Sequence, residues 1–434
     1  MLAPIGTSMA VRRETATRRR GISPAERTEL ADILAEGAVE IGFQAVVELA
    51  SGRVVGWEAL ARGPIGGGFE QPDRLFGAAR AAGRLEELDW LCQRNALRGA
   101  LEAGVRHPYI LFLNIEPDSS GFLPLELRDL YAHASGQMIV CVEVTERALT
   151  ERPGALLGHV ADMRAMGVAV ALDDVGTDPD TLAMMSLLAP EVIKLDLALV
   201  QNSPDVELAE VVHAVAAQAE RSGATILVEG VENDAQARAG DALGATLAQG
   251  WLYGRRELAI ALPSSSEHAI VLPGRHLDPR DLAPFELVAS RRPARQATQP
   301  LLTAMTEHLE EQARGLGRTA VLVASFDRER RFTDGLRARY EELGRRLAFC
   351  AIVGHGVPVD PAPGVRGGPI VPGDPLGGEW AIAVVGPHYA AALVALEREG
   401  DGAHAGGAVY DYVLTYDRGL AAAVAAALTA RVPA

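Results

Sequence analysis

From about residue 37 to residue 254 short apolar runs alternate with amphipathic stretches. The runs are Phe43–Leu49, Val54–Leu60, Tyr109–Ile115, Met138–Thr145, Val168–Asp173, Val192–Leu195, Thr225–Val228 and Leu247–Tyr253. Helical periodicity fills Pro72–Ala82, Leu85–Ala103, Gly154–Met166, Asp180–Leu188, Val206–Ser222 and Asn233–Leu243. Near-continuous Val/Ile/Leu strands alternating with helices predict a mostly parallel sheet covered on both faces. Gly167, Gly223 and Gly244 each follow a helix and precede a strand, where a C-capping glycine belongs. Eight strands in this span match the size of a (β/α)8 TIM-type barrel. Only Ala50–Arg53 separates the first two runs, too few residues for a crossover helix, so these two pair as a hairpin and the barrel is irregular at its first strand.

Ser23, Pro24 and Glu26 mark a helix start, which places the barrel domain at 23–260. Residues 1–22, with Arg12, Arg13 and Arg18–Arg20, read as a disordered basic arm, and 261–277 as a connector. Residues 278–434 form a second, smaller α/β sandwich. Its expected strands are Ala320–Ser325, Arg346–Val353, Trp380–Val385 and Tyr410–Tyr416. Its expected helices are Leu301–Leu316, Phe332–Leu343, Tyr389–Arg398 and Gly419–Ala430.

Composition narrows the class. At 48% hydrophobic and 23% charged residues the chain is globular rather than disordered. Its net charge of −16 argues against binding a nucleic-acid polymer, which takes basic surface. Cys92, Cys141 and Cys350 are far apart and show no zinc or disulfide spacing. No apolar window approaches the roughly 18 residues of a membrane span, and the basic start lacks an apolar signal core. No membrane partner and a cytoplasmic location are therefore expected. Of the 41 basic residues, Lys194 alone is lysine. A lysine kept against that background is a candidate for chemistry that a planar guanidinium cannot do, the alternative being chance survival of a single codon.

The acids and amides of the barrel collect at one kind of place. Glu58, Asn114, Glu143, Asp173, Asp174, Asp196, Glu229 and Gln249 stand at the C-terminal ends of their runs, together with Lys194. In a parallel barrel those ends converge on one mouth. Six carboxylates against one ammonium cannot all be satisfied salt bridges, and crowded acids repel until some are neutralised. Divalent cations solve this, and an all-oxygen donor set points to Mg²⁺ or Mn²⁺ rather than zinc. Adjacent Asp173 and Asp174 suit two ions, the usual clamp for phosphodiester hydrolysis.

The chain resembles the EAL domain family, which hydrolyses cyclic di-GMP. Seven segments carry the resemblance in order: FQAVVELASGRVVGWEALAR with Glu58-Ala59-Leu60, LFLNIEP, VEVTE, LDDVGT, VIKLD, VEGVE and QGWLYGR. It implies metal-dependent opening of the cyclic dinucleotide to linear pGpG by two-metal-activated water. Glu58, Asn114, Glu143 and Asp173 are implied as ligands of one ion, and Asp173, Asp174 and Glu229 of the other. Lys194 is implied to orient the attacking water, and Gln249 to hold water beside the ions, so that Lys194, Glu58, Glu229 and Gln249 form the catalytic set. Gln44, Leu60, Arg62, Asn114, Asp196 and Gln249 are implied to meet substrate. Glu146 and Glu232 resemble acids that brace the loop at Asp173–Thr177 and its neighbour. Ca²⁺ is expected to inhibit, and a homodimer through the barrel is implied.

The loop departs from the family's DDFGTGYSSL. Val175 replaces Phe, Asp178 replaces the second Gly, and Pro179 stiffens it. This leaves a second expectation, a receptor that holds cyclic di-GMP with little turnover. Residues 278–434 resemble the DICT sensory module, which implies regulation by an unknown signal or protein partner.

Overall fold

The computed structural model describes residues 22–116, 123–176, 179–196, 199, 206–263, 270, 272–274, 278–326, 333–371, 373–398 and 408–433. The basic arm before Ile22, Thr177 and Asp178 of the altered loop, and much of the connector lie outside the described residues.

Helix α1 (Pro24–Glu36) opens on a capping box. Ser23 Oγ accepts the Glu26 N–H while the Glu26 carboxylate accepts the Ser23 N–H at 2.8 Å. Eight strands follow and close into a barrel in chain order: β1 (Glu40–Glu48), β2 (Val54–Arg62), β3 (Ile110–Asn114), β4 (Ile139–Thr145), β5 (Ala169–Val175), β6 (Val192–Leu195), β7 (Thr225–Val228) and β8 (Leu247–Gln249). The expected hairpin is present, and β1 runs antiparallel to both β2 and β8. The pairs β2·β3, β3·β4, β5·β6 and β7·β8 are parallel. Around the strands lie α2 (Pro72–Ala82), α3 (Leu85–Glu102), α4 (Leu125–Ser135), α5 (Glu146–Glu151), α6 (Pro153–Ala165), α7 (Pro179–Leu188), α8 (Val206–Ser222) and α9 (Asp234–Ala242). Helix α4 and the six-residue α5 are additions to the helices that the periodicity predicts.

The hairpin shows which side chains reach the barrel interior. Ile41 and Ala61 pack outward on the apolar cluster formed by α1, α2 and α3. The period of two then turns Gly42, Gln44, Glu58, Leu60 and Arg62 inward.

The second unit is a seven-stranded mixed sheet in the order β12-β11-β10-β13-β14-β15-β9. Its strands are β9 (Arg295–Thr298), β10 (Val321–Phe326), β11 (Phe349–Gly354), β12 (Arg366–Pro369), β13 (Glu379–Val385), β14 (Ala390–Glu397) and β15 (Val409–Thr415). Four helices accompany it: α10 (Pro284–Ala289), α11 (Gln299–Leu316), α12 (Asp334–Gly344) and α13 (Arg418–Thr429). Tyr389–Arg398, expected as a helix, is mainly strand β14, paired with β13 and β15 along nearly its whole length.

This unit packs directly on two barrel helices. Helix α13 lies against α6 and α7, the 3-10 turn Pro279–Asp281 against α6, and β11 against α7. Arg280 bridges Asp278 and Asp162 of α6, at 2.6 Å to each. Gly154, at the start of α6, has no room for a side chain, because a Cβ there would stand 2.1 Å from the Val432 carbonyl oxygen. Among the described residues no helix is long and apolar enough to cross a membrane.

Candidate active site

Glu58 is buried on β2, opposite Gln44 on β1. Two amides donate into its carboxylate: Asn114 Nδ2 at 2.9 Å and Gln249 Nε2 at 2.5 Å. Gln249 also reaches Gln44 Oε1 at 3.4 Å, and Gln44 Nε2 donates to the Gly254 carbonyl at 3.1 Å. Glu143 is buried on β4, in register with Asn114. A carboxylate held by neutral amides keeps its negative charge available to a ligand. Leu60 and Arg62 continue the same inward face of β2 and are partly exposed.

Lys194 is only 1% exposed, and its Nζ stands 3.1 Å from Asp173 Oδ1. The same oxygen accepts the Asp174 N–H at 2.9 Å. Asp174 has φ of 58°, a left-handed conformation that a side chain adopts at a cost. The loop is braced behind this turn, where Gly176 N–H donates to the buried Glu146 at 3.0 Å. Asp173, Asp174 and Glu229 each offer a carboxylate oxygen, and these oxygens lie within 4.8 Å of one another. Such hard, anionic donors fit Mg²⁺, Mn²⁺ or Ca²⁺ and not a metal that asks for nitrogen or sulfur. Asp196 follows β6 and is partly exposed. Glu232 is solvent-exposed, with its N–H donating to Gln236 Oε1 at 2.7 Å.

A buried polar chain beyond the predicted residues supports β3 and the segment after it. Tyr131 of α4 donates to Gln93 Oε1 at 2.8 Å, and Gln93 Nε2 donates to Asp89 Oδ2 at 2.8 Å, all three buried. Asp89 Oδ1 in turn accepts the Glu116 N–H at 3.3 Å, two residues past Asn114. The signal was available: Asp89 and Gln93 are polar positions on the stripe of α3 that also holds Leu85, Leu88, Cys92 and Ala96.

Residues 27–256 match the family described as EAL domain, and residues 285–398 match the sensory domain in diguanylate cyclases and two-component systems, DICT. The cyclic di-GMP phosphodiesterase RocR of Pseudomonas aeruginosa is 30% identical over 249 residues, covering 54% of this chain and 62% of RocR. NbdA of the same organism, also named a cyclic di-GMP phosphodiesterase, is 29% identical over 242 residues, covering 52% of this chain and 30% of NbdA. The chain thus spans less than two thirds of either relative. Klebsiella pneumoniae BlrP1, solved as a manganese/cy-diGMP complex, is 29% identical with a TM-score of 0.43, covering 51% of this chain and 56% of that one. Since the first of these matches takes in just over half of the residues, the chain belongs to the EAL domain family.

Proposed function

We propose that this chain hydrolyses cyclic di-GMP to linear pGpG at the barrel mouth, and that its second unit regulates the rate. The observation that carries this reading is the junction of Lys194 with Asp173: a buried ammonium held on the first of two adjacent acids, in a loop whose ligand residues are intact. That intact set also speaks against a receptor without turnover. Glu58, Asn114, Glu143 and Asp173 would hold one divalent ion, and Asp173, Asp174 and Glu229 a second. A pair of Mg²⁺ or Mn²⁺ ions, when bound, supplies counter-charge to these acids and acidifies the attacking water.

The residues divide the remaining work. Lys194 donates a hydrogen bond to the attacking oxygen and cannot drift, because Asp173 anchors its Nζ. Asn114 and Gln249 fix the rotamer of Glu58. Water adds to phosphorus, the P–O3′ bond breaks, and the 3′-oxygen leaves as the hydroxyl after taking a proton, which opens the ring. Gln44, Leu60, Arg62 and Asp196 line the approach to the substrate. Ca²⁺ takes the same oxygens with looser geometry and is expected to support little hydrolysis.

Regulation is supported by the packing of α13 on α7, since α7 continues the loop that carries Asp173 and Asp174. A homodimer through the barrel would use a flank other than α6 and α7, which the second unit covers. The test is pGpG formation by the full chain in Mg²⁺ or Mn²⁺, with Glu58→Ala as control. Tight binding of cyclic di-GMP without product would overturn it.

A further inference from the structure

A short strap follows the strand that ends in Gln249 and runs beside β1, on the edge that β8 also pairs. Gly254 accepts from Gln44, and Glu257 exchanges backbone hydrogen bonds with Phe43 at 2.6 and 2.9 Å. Between these anchors Arg255 and Arg256 part company. The Arg255 guanidinium stacks on Trp251, 4.2 Å from the ring centroid, at the surface. Arg256 instead lays its side chain over Gly42. A Cβ at Gly42 would stand 2.5 Å from Arg256 Cγ and Cδ, so only glycine leaves the arginine its full berth.

Gly42 faces the interior one alternation from Gln44 and pairs with Leu60, the residue between Glu58 and Arg62 on the same face. Arg256 therefore lies on the wall that carries Gln44, Glu58 and Arg62. Its Nη1 is buried, and among the described residues no oxygen accepts from it. A buried guanidinium nitrogen without an acceptor is costly. Arg256 and Arg62 are also close enough that burial, followed by the Arg62 charge, lowers the Arg256 pKa, while Glu40 and Glu70 act in the opposite sense. The acids limit the repulsion but leave Nη1 without an acceptor.

We propose that Arg256 is a substrate-binding residue whose buried Nη1, poised over Gly42 beside Arg62, donates to a phosphate oxygen of the cyclic dinucleotide. This rests on the reading of the mouth as a cyclic di-GMP site. The ligand chemistry follows from the geometry: two guanidiniums on one wall suit an anion with several acceptor oxygens. Arg256 is remote from the Lys194–Asp173 pair along the strand order, so its contribution falls on binding rather than on the chemical step.

The experiment compares the full chain with Arg256→Ala and Arg256→Lys, measuring KM and kcat in Mn²⁺, the dissociation constant of cyclic di-GMP in Ca²⁺, and the melting temperature. Loss of a hydrogen bond from a charged donor is expected to raise KM and the dissociation constant about 10- to 100-fold. We expect kcat to stay within about twofold and Lys to recover part of the affinity. If Arg256→Ala does not fold, Arg256→Gln keeps the reach without the charge and is read the same way. Unchanged KM and affinity in the variant, with or without a lower melting temperature, overturn the proposal and reduce Arg256 to packing over Gly42. A wild-type chain that fails to bind cyclic di-GMP overturns the reading of the mouth, and this proposal with it.

Discussion

At the scale of single residues, the Lys194–Asp173 contact gives the sharpest prediction. Lys194→Ala is expected to lower kcat by at least about 100-fold, in the range for removing one group that stabilises a transition state. Lys194→Arg is expected to restore little, because a side chain 1% exposed leaves no space for a planar fork of five donors. Quantifying pGpG by chromatography decides both. A second prediction concerns Glu379, buried at the start of β13, where it accepts the Phe285 N–H at 2.9 Å. Burial, offset in part by that hydrogen bond and by Arg431, raises its pKa to about 7. The folded state therefore binds this proton more tightly than the unfolded chain, whose carboxyl titrates near 4.5. The stabilisation is complete below about pH 4.5 and fades as pH rises through 7. Thermal unfolding of the wild type from pH 5 to pH 8 should show a decline that Glu379→Gln largely removes; parallel curves for the two proteins would refute it. The clustered acids and the one lysine were legible in the sequence because strand ends concentrate them. Arg256 was not, since what distinguishes it is which neighbour it touches.

Among elements, α6 and α7 carry the consequences. Gly154 lets the Val432 carbonyl approach α6, and a methyl group there would overlap it. Gly154→Ala is expected to cost on the order of 2 kcal/mol. It should also raise hydrogen exchange in α13 and α7 ahead of the barrel strands, as followed by mass spectrometry. Exchange that rises uniformly would show that the contact does not couple the two. The barrel strands were readable because each apolar run is bounded by a capped helix. Strand β14 was not: Ala390-Ala391-Ala392-Leu393-Val394-Ala395-Leu396-Glu397 has the composition of a helix. Pairing on both edges and burial on both faces override that preference. Strand β9 hid for a different reason, being four residues of an edge strand with mostly exposed side chains.

Over the whole molecule the charge is −16, and the proposed substrate is an anion. Without bound cations the mouth repels what it is meant to hold. EDTA is therefore expected to abolish measurable affinity for cyclic di-GMP as well as turnover, and added Mn²⁺ to restore both; calorimetry in EDTA that still gives tight binding would mean the arginines suffice. One further property follows from the solitary lysine. An endoproteinase that cuts only after lysine has a single target in this chain, the bond from Lys194 to Leu195, inside β6 and sealed from solvent. Cleavage must wait for that strand to leave the barrel, and yields two fragments whose appearance counts the openings. The chain thus carries its own clock for the breathing of the barrel wall that holds Lys194, one that binding of the proposed ions and substrate would slow.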